Sequence, residues 1–130
     1  MTKKELSQLY YLNREVEQLQ ERCEELRGAV EKVTSIITDM PRGGQKNDLK
    51  DELIDLIDLL ALKQKQCLIE QSRIERYVNN IPDSLTRQIF ALRFINGLSW
   101  RQVAFSVGGG NTEESVRQLA HRYLKKSQQN

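Results

Sequence analysis

"LYYLNREVEQLQERCEELRGAVEKVTSII", Leu9 to Ile37, places apolar residues at positions 9, 12, 16, 19, 23, 26, 30, 33 and 37. The steps alternate between three and four without a break. Leu9, Val16, Cys23, Val30 and Ile37 hold one position of a heptad, and Leu12, Leu19, Leu26 and Val33 hold the other. A 3.5-residue repeat keeps one narrow stripe facing a partner helix, so this stretch predicts a coiled-coil helix. Glu17, Gln20, Glu21, Glu24, Glu25 and Lys32 fall outside the stripe as a solvated face. About thirty residues rising 1.5 Å each give a rod of roughly 45 to 50 Å.

The rod is expected to stop at "MPRGGQKND", Met40 to Asp48. Pro41 cannot continue a helix, Gly43 and Gly44 allow a reversal, and Asn47 or Asp48 can cap a second helix over about 48–80. Asp48, Asp51, Glu52 and Asp55 crowd the start of that helix, where carboxylates complement the positive end of its dipole. Leu49, Leu53, Leu56 and Leu60 can close the hairpin against the first helix, which leaves Ile54, Ile57, Leu59 and Leu62 over. Uncovered apolar surface of this kind predicts self-association through the hairpin, most simply a homodimer; the alternative cover is the C-terminal part folding back. If the hairpin pairs symmetrically about residue 44 or 45, Cys23 and Cys67 fall in neighbouring layers.

Length and composition agree with a helical chain. Its 130 residues carry 38% hydrophobic and 29% charged residues with two prolines, which excludes a sandwich or a disordered tail. No apolar run approaches the roughly 18 residues that span a bilayer, and "MTKKELSQLYYLNREVEQ" turns charged too soon for a secretory signal. The expectation is a cytoplasmic protein with no membrane partner. Cys23 and Cys67 lie in no metal-binding spacing and read as small buried residues, a disulfide between them being the minor alternative.

"NNIPD" ends the second helix and marks a boundary between a hairpin domain, residues 1–82, and a C-terminal domain, residues 83–130. The first part carries 13 Lys and Arg against 15 Asp and Glu, the second 7 against 3. A basic module on a slightly acidic one points to a polyanion as the partner of the tail, against the plainer reading of a mildly basic surface. Three short helices fit this tail. The first, about 83–95 and started by Asp83 or Ser84, presents Leu85, Ile89 and Leu92 on one side and Phe90 and Phe94 on another; Asn96-Gly97 ends it. Ser99 caps the second, whose inner face is Trp100, Val103, Ala104 and Val107. The third, about 112–126, begins at Asn111 or Thr112, with Asn111 and Glu114 spaced as a capping box, and buries Val116, Leu119, Ala120 and Tyr123.

The opposite face of the third helix holds Glu114, Gln118, His121 and Lys125, flanked by Arg117 and Arg122. Arg and Gln offer the paired donors and acceptors that match base edges in the major groove, while Lys, His and Ser suit phosphates. Ala104 and Gly108 are the small pair that lets two helices of a helix-turn-helix cross closely. Val116 follows Gly108 by eight residues where six is usual, so the corner is longer by two. Gly108, Gly109 and Gly110 fit that stretched corner because they accept backbone angles that other residues resist.

"IPDSLTRQIFALRFINGLSWRQVAFSVGGGNTEESVRQLAHRYLKK", Ile81 to Lys126, resembles the region-four domain of sigma-70-type factors, which recognises the −35 promoter element. The likeness lies in the proline before the first helix, "LRFINGLSW" leading into the second, the Ala-then-Gly pair and "VRQLAHR". With "TKKELSQLYYLNREVEQL", "MPRGG" and "RFINGLSW", the whole chain is similar to a family of small phage and prophage proteins, the ArpU-like transcriptional regulators, mostly of Gram-positive hosts. The resemblance implies a DNA-binding tail, late-gene control and residence in a bacterial host cell. It departs from sigma factors in having the hairpin where they carry the region that melts promoters.

By position, Glu114, Arg117 and Gln118 are the expected base-reading residues, and Ser99, Arg101, Gln102, His121, Arg122 and Lys125 the expected phosphate contacts. Phe105 points outward from the second helix; packing on the hairpin is the first expectation for it, and contact with RNA polymerase the second. The predicted fold is all-α, a long antiparallel coiled-coil hairpin followed by a compact three-helix module. The predicted function is sequence-specific binding of double-stranded DNA as a dimer. Two alternatives stand beside it: a small terminase subunit that packages DNA as a ring, and an interaction module that binds no DNA. An enzyme is not expected, since the chain has one histidine, no glycine-rich phosphate loop with lysine and no clustered metal ligands, and neither a cofactor nor a metal is expected.

Overall fold

A computed structural model describes the backbone of residues 1–37 and 45–128 and the side chains of residues 1–33 and 48–128. The chain is all-α. Helices α1 (Lys3–Ile37) and α2 (Gln45–Asn79) form the long antiparallel hairpin. They are followed by a cluster of α3 (Ser84–Phe90), a five-residue π-helical extension (Ala91–Ile95), α4 (Trp100–Val107) and α5 (Glu113–Gln128). The expected break at Pro41, Gly43 and Gly44 and the side chain of the seam residue Ile37 lie outside the described residues, while Asn47 and Asp48 fall inside α2 and do not cap it. Among the described residues, no helix is long and apolar enough to cross a membrane.

The chain divides into two compact units, Leu12–Gln66 and Met1–Tyr11 with Cys67–Asn130. In the first, Leu12 and Cys23 are buried, while Val16, Leu19, Leu26 and, opposite, Leu49, Leu53, Leu56 and Leu60 are half-buried. Two helices alone cannot enclose a seam, which leaves each layer open at one edge. Ile54, Ile57, Leu59 and Leu62 are exposed, as the pattern predicts.

The register differs from the expected one. Glu15 pairs with Lys63 at 3.4 Å, and in the other unit Glu5 pairs with Arg73 at 3.8 Å. Both pairs have their sequence midpoint at position 39, not at 44 or 45. Cys23 and Cys67 are both buried.

The second unit gathers the two open ends of the hairpin with the C-terminal helices. Thr2 and Glu5 start α1 with a reciprocal capping box: the Thr2 N–H donates to Glu5 Oε2 at 3.0 Å and the Glu5 N–H to Thr2 Oγ1 at 3.2 Å. Leu6, Leu9, Ile74 and Val78 from the hairpin helices are buried, together with Ile89, Val103 and Val116. Phe90, fully buried, is the aromatic centre: its ring lies 5.3 Å from Phe94, 5.4 Å from Tyr123 and 6.3 Å from Tyr77. Burial raises the Tyr123 hydroxyl above its ordinary pKa, with the nearby Tyr77 adding to the shift.

Asp83 caps α3, accepting from the Thr86 N–H at 3.0 Å and the Thr86 hydroxyl at 2.6 Å. Those bonds hold its carboxyl below the usual range. Arg87 ties the incoming strand of chain in place, donating to the carbonyls of Ile81 at 2.7 Å and Pro82 at 3.0 Å. The first tail helix expected over 83–95 is thus one α-helical and one π-helical segment, closed by Gly97 at φ +73°.

Candidate nucleic-acid interface

Helices α4 and α5 are the two arms of the expected helix-turn-helix. Ser99 caps α4 with a full capping box, its Oγ accepting from the Gln102 N–H at 3.2 Å while its own N–H donates to Gln102 Oε1 at 2.9 Å. Two of the expected phosphate ligands thereby hold each other. The Ser99 hydroxyl proton and the Gln102 amide hydrogens remain as donors.

The corner between the arms rests on three consecutive glycines with positive φ: +62° at Gly108, +64° at Gly109 and +79° at Gly110. L-residues are strained there, which explains the triplet. The expected close crossing at Gly108 is corrected, because a Cβ built on it would meet nothing within 4 Å. Its φ of +62° with ψ of −145° is the requirement instead. The Gly108 carbonyl accepts from the Asn111 N–H at 3.1 Å and from Asn111 Nδ2 at 2.8 Å, so the corner is closed by its own hydrogen bonds.

Asn111 and Glu114 do not form the expected capping box. Thr112 caps α5: its Oγ1 accepts from the Ser115 N–H at 3.1 Å, and its N–H donates to Ser115 Oγ at 2.8 Å. Inside α5, Val116, Ala120 and Leu124 are buried, with Leu119 and Tyr123 half-buried. Leu124 was not among the expected core residues; it extends the Val116–Ala120 row by a further four.

All nine expected contact residues are exposed. Four of them form one ladder along α5. The Arg117 guanidinium is hydrogen-bonded to Glu114 Oε2, Gln118 Nε2 donates to Glu114 Oε1 at 3.1 Å, and Arg122 donates to Gln118 Oε1 at 3.4 Å. The Arg117 bond is the main cause that holds the Glu114 carboxyl below its usual range. A carboxylate gripping one edge of an arginine fixes the direction of the guanidinium and leaves its remaining donors for an acceptor pair.

Arg117, Gln118, His121 and Arg122 also line a groove of about 540 Å³, shared with Trp100 and Lys3. Lys3 lay outside sequence reasoning: it stands at the other end of the chain and reaches this face because the capped start of α1 belongs to the same unit. Ser99 and Gln102 line a different hollow of about 370 Å³, beside Tyr10, Tyr11 and Arg93. Arg93 bridges the loop between helices, donating to the Leu98 carbonyl at 2.9 Å with its guanidinium 4.7 Å from the centre of the Trp100 ring. Arg101 and Lys125 line neither hollow.

Phe105 is 90% exposed on α4 and does not pack on the hairpin as first expected. Compared with family models, with curated proteins and with solved structures, the chain matches none.

Proposed function

We propose that this chain is a sequence-specific DNA-binding transcription regulator of the phage type, which lays α5 in the major groove and dimerises through its hairpin. The Glu114–Arg117–Gln118–Arg122 ladder carries this reading. It aligns two arginines and an amide on an exposed helix face, next to the cationic groove that Lys3 and His121 complete. Arg presents the fork that suits guanine edges, and Gln the donor and acceptor that suit adenine. The surrounding Lys, Arg and His side chains supply the phosphate attraction that gives affinity without sequence. A dimer doubles both kinds of contact and requires paired half-sites.

Arg117→Ala tests the base-reading role. The expected result is the loss of roughly 10- to 100-fold of the preference for a selected site over mixed-sequence DNA, with weak, salt-sensitive binding left behind. An equal loss on all sequences contradicts it and makes Arg117 a phosphate contact.

A further inference from the structure

The outer face of α2 carries a second row of exposed apolar residues. Ile54, Ala61 and Leu68 recur along the helix at heptad steps, with Ile57 three residues after Ile54. Ile54 is 55% exposed and Leu68 67%, and Leu62, beside the row, is 53% exposed. This is the spacing of a coiled-coil stripe facing outward, on a helix whose own hairpin seam is already used.

The charges on its border identify what fits there. Asp58 and Lys65 are exposed, occupy the same heptad position and make no ion pair among the described residues, whereas Lys63 is engaged by Glu15. One negative and one positive side chain, a heptad apart, are complementary to their own reverse. A twofold axis across the helix brings Asp58 level with Lys65 of a second copy, and the same operation brings Lys65 level with the copy's Asp58. Ala61 then comes level with the copy's Leu62. A parallel pairing sets Asp58 level with Asp58 and Lys65 with Lys65 and gains no such attraction.

We infer that two copies of this chain associate through the outer faces of α2, antiparallel, with Asp58 opposite Lys65 of the other copy at both ends of the contact. The inference rests on the dimer of the proposed function and not on its DNA binding.

Light scattering on the full chain tests it, with circular dichroism on every variant to check that helix content is kept. Wild type is expected at twice the chain mass of 15.1 kDa. Asp58→Lys and Lys65→Asp, which set like charges together, are each expected to raise the dissociation constant tenfold or more, and the double exchange to restore it. A dimer indifferent to the single changes, or not rescued by the double one, overturns this pairing while leaving a hairpin dimer standing. A monomeric or ring-sized wild type overturns both, and neither result bears on whether α5 binds DNA.

Discussion

Glu114 is the one acid on the face that the proposal turns toward a polyanion, and its chemistry accounts for that. Both carboxylate oxygens are occupied, one by Arg117 and one by Gln118, so the group acts as a brace for two donors. Its exposure was readable from the 3.6-residue period, as was that of the other expected contact residues. Its bonds were not, because Asn111 and Glu114 have the spacing of a capping box. Thr112 and Ser115 take the cap instead, with short hydroxyl side chains that reach the backbone N–H groups directly, while Asn111 turns back to the Gly108 carbonyl. Lys3 was unreadable for another reason: no local pattern links it to a groove built by residues far along the chain, from Phe94 onward. If it meets a phosphate, Lys3→Gln should weaken binding to all sequences alike and lower the slope of log affinity against log salt by about 1. An unchanged slope places Lys3 outside the DNA footprint.

Among the helices, the coiled-coil period fixes what α1 and α2 bury, since a stripe recurring every 3.5 residues has one way to face a partner. The same period leaves their register open, because sliding by a heptad preserves the stripe. The ion pairs Glu15–Lys63 and Glu5–Arg73 show it, with their sequence midpoint at position 39. The corner between α4 and α5 is the reverse case: three glycines announce an unusual backbone, and all three have positive φ. Gly109→Ala should destabilise the fold by about 1 to 2 kcal/mol, the cost of a left-handed angle for an L-residue. Gly108→Ala should cost more, up to about 3 kcal/mol, because its combination of φ and ψ is one that glycine alone takes readily. Urea unfolding measures both. No loss at Gly108, where a Cβ meets nothing, would mean that the corner rearranges without penalty.

The chain as a single object joins a hairpin to a cluster of shorter helices, and the compact unit extends beyond residues 83–130 to include both open ends of the hairpin. That arrangement was hidden in the sequence because Leu6, Leu9, Ile74 and Val78 continue the helical patterns of α1 and α2 and look like seam. In the structure they are core to the same unit as α5. The most direct measurement is a footprint of the purified protein on fragments of the genome that encodes it, at about 0.15 M salt, where non-specific phosphate attraction is weak. Protection of a discrete site, abolished by Arg117→Ala, is the predicted result. Uniform protection, or none, would contradict it and leave α5 a solvated charged helix.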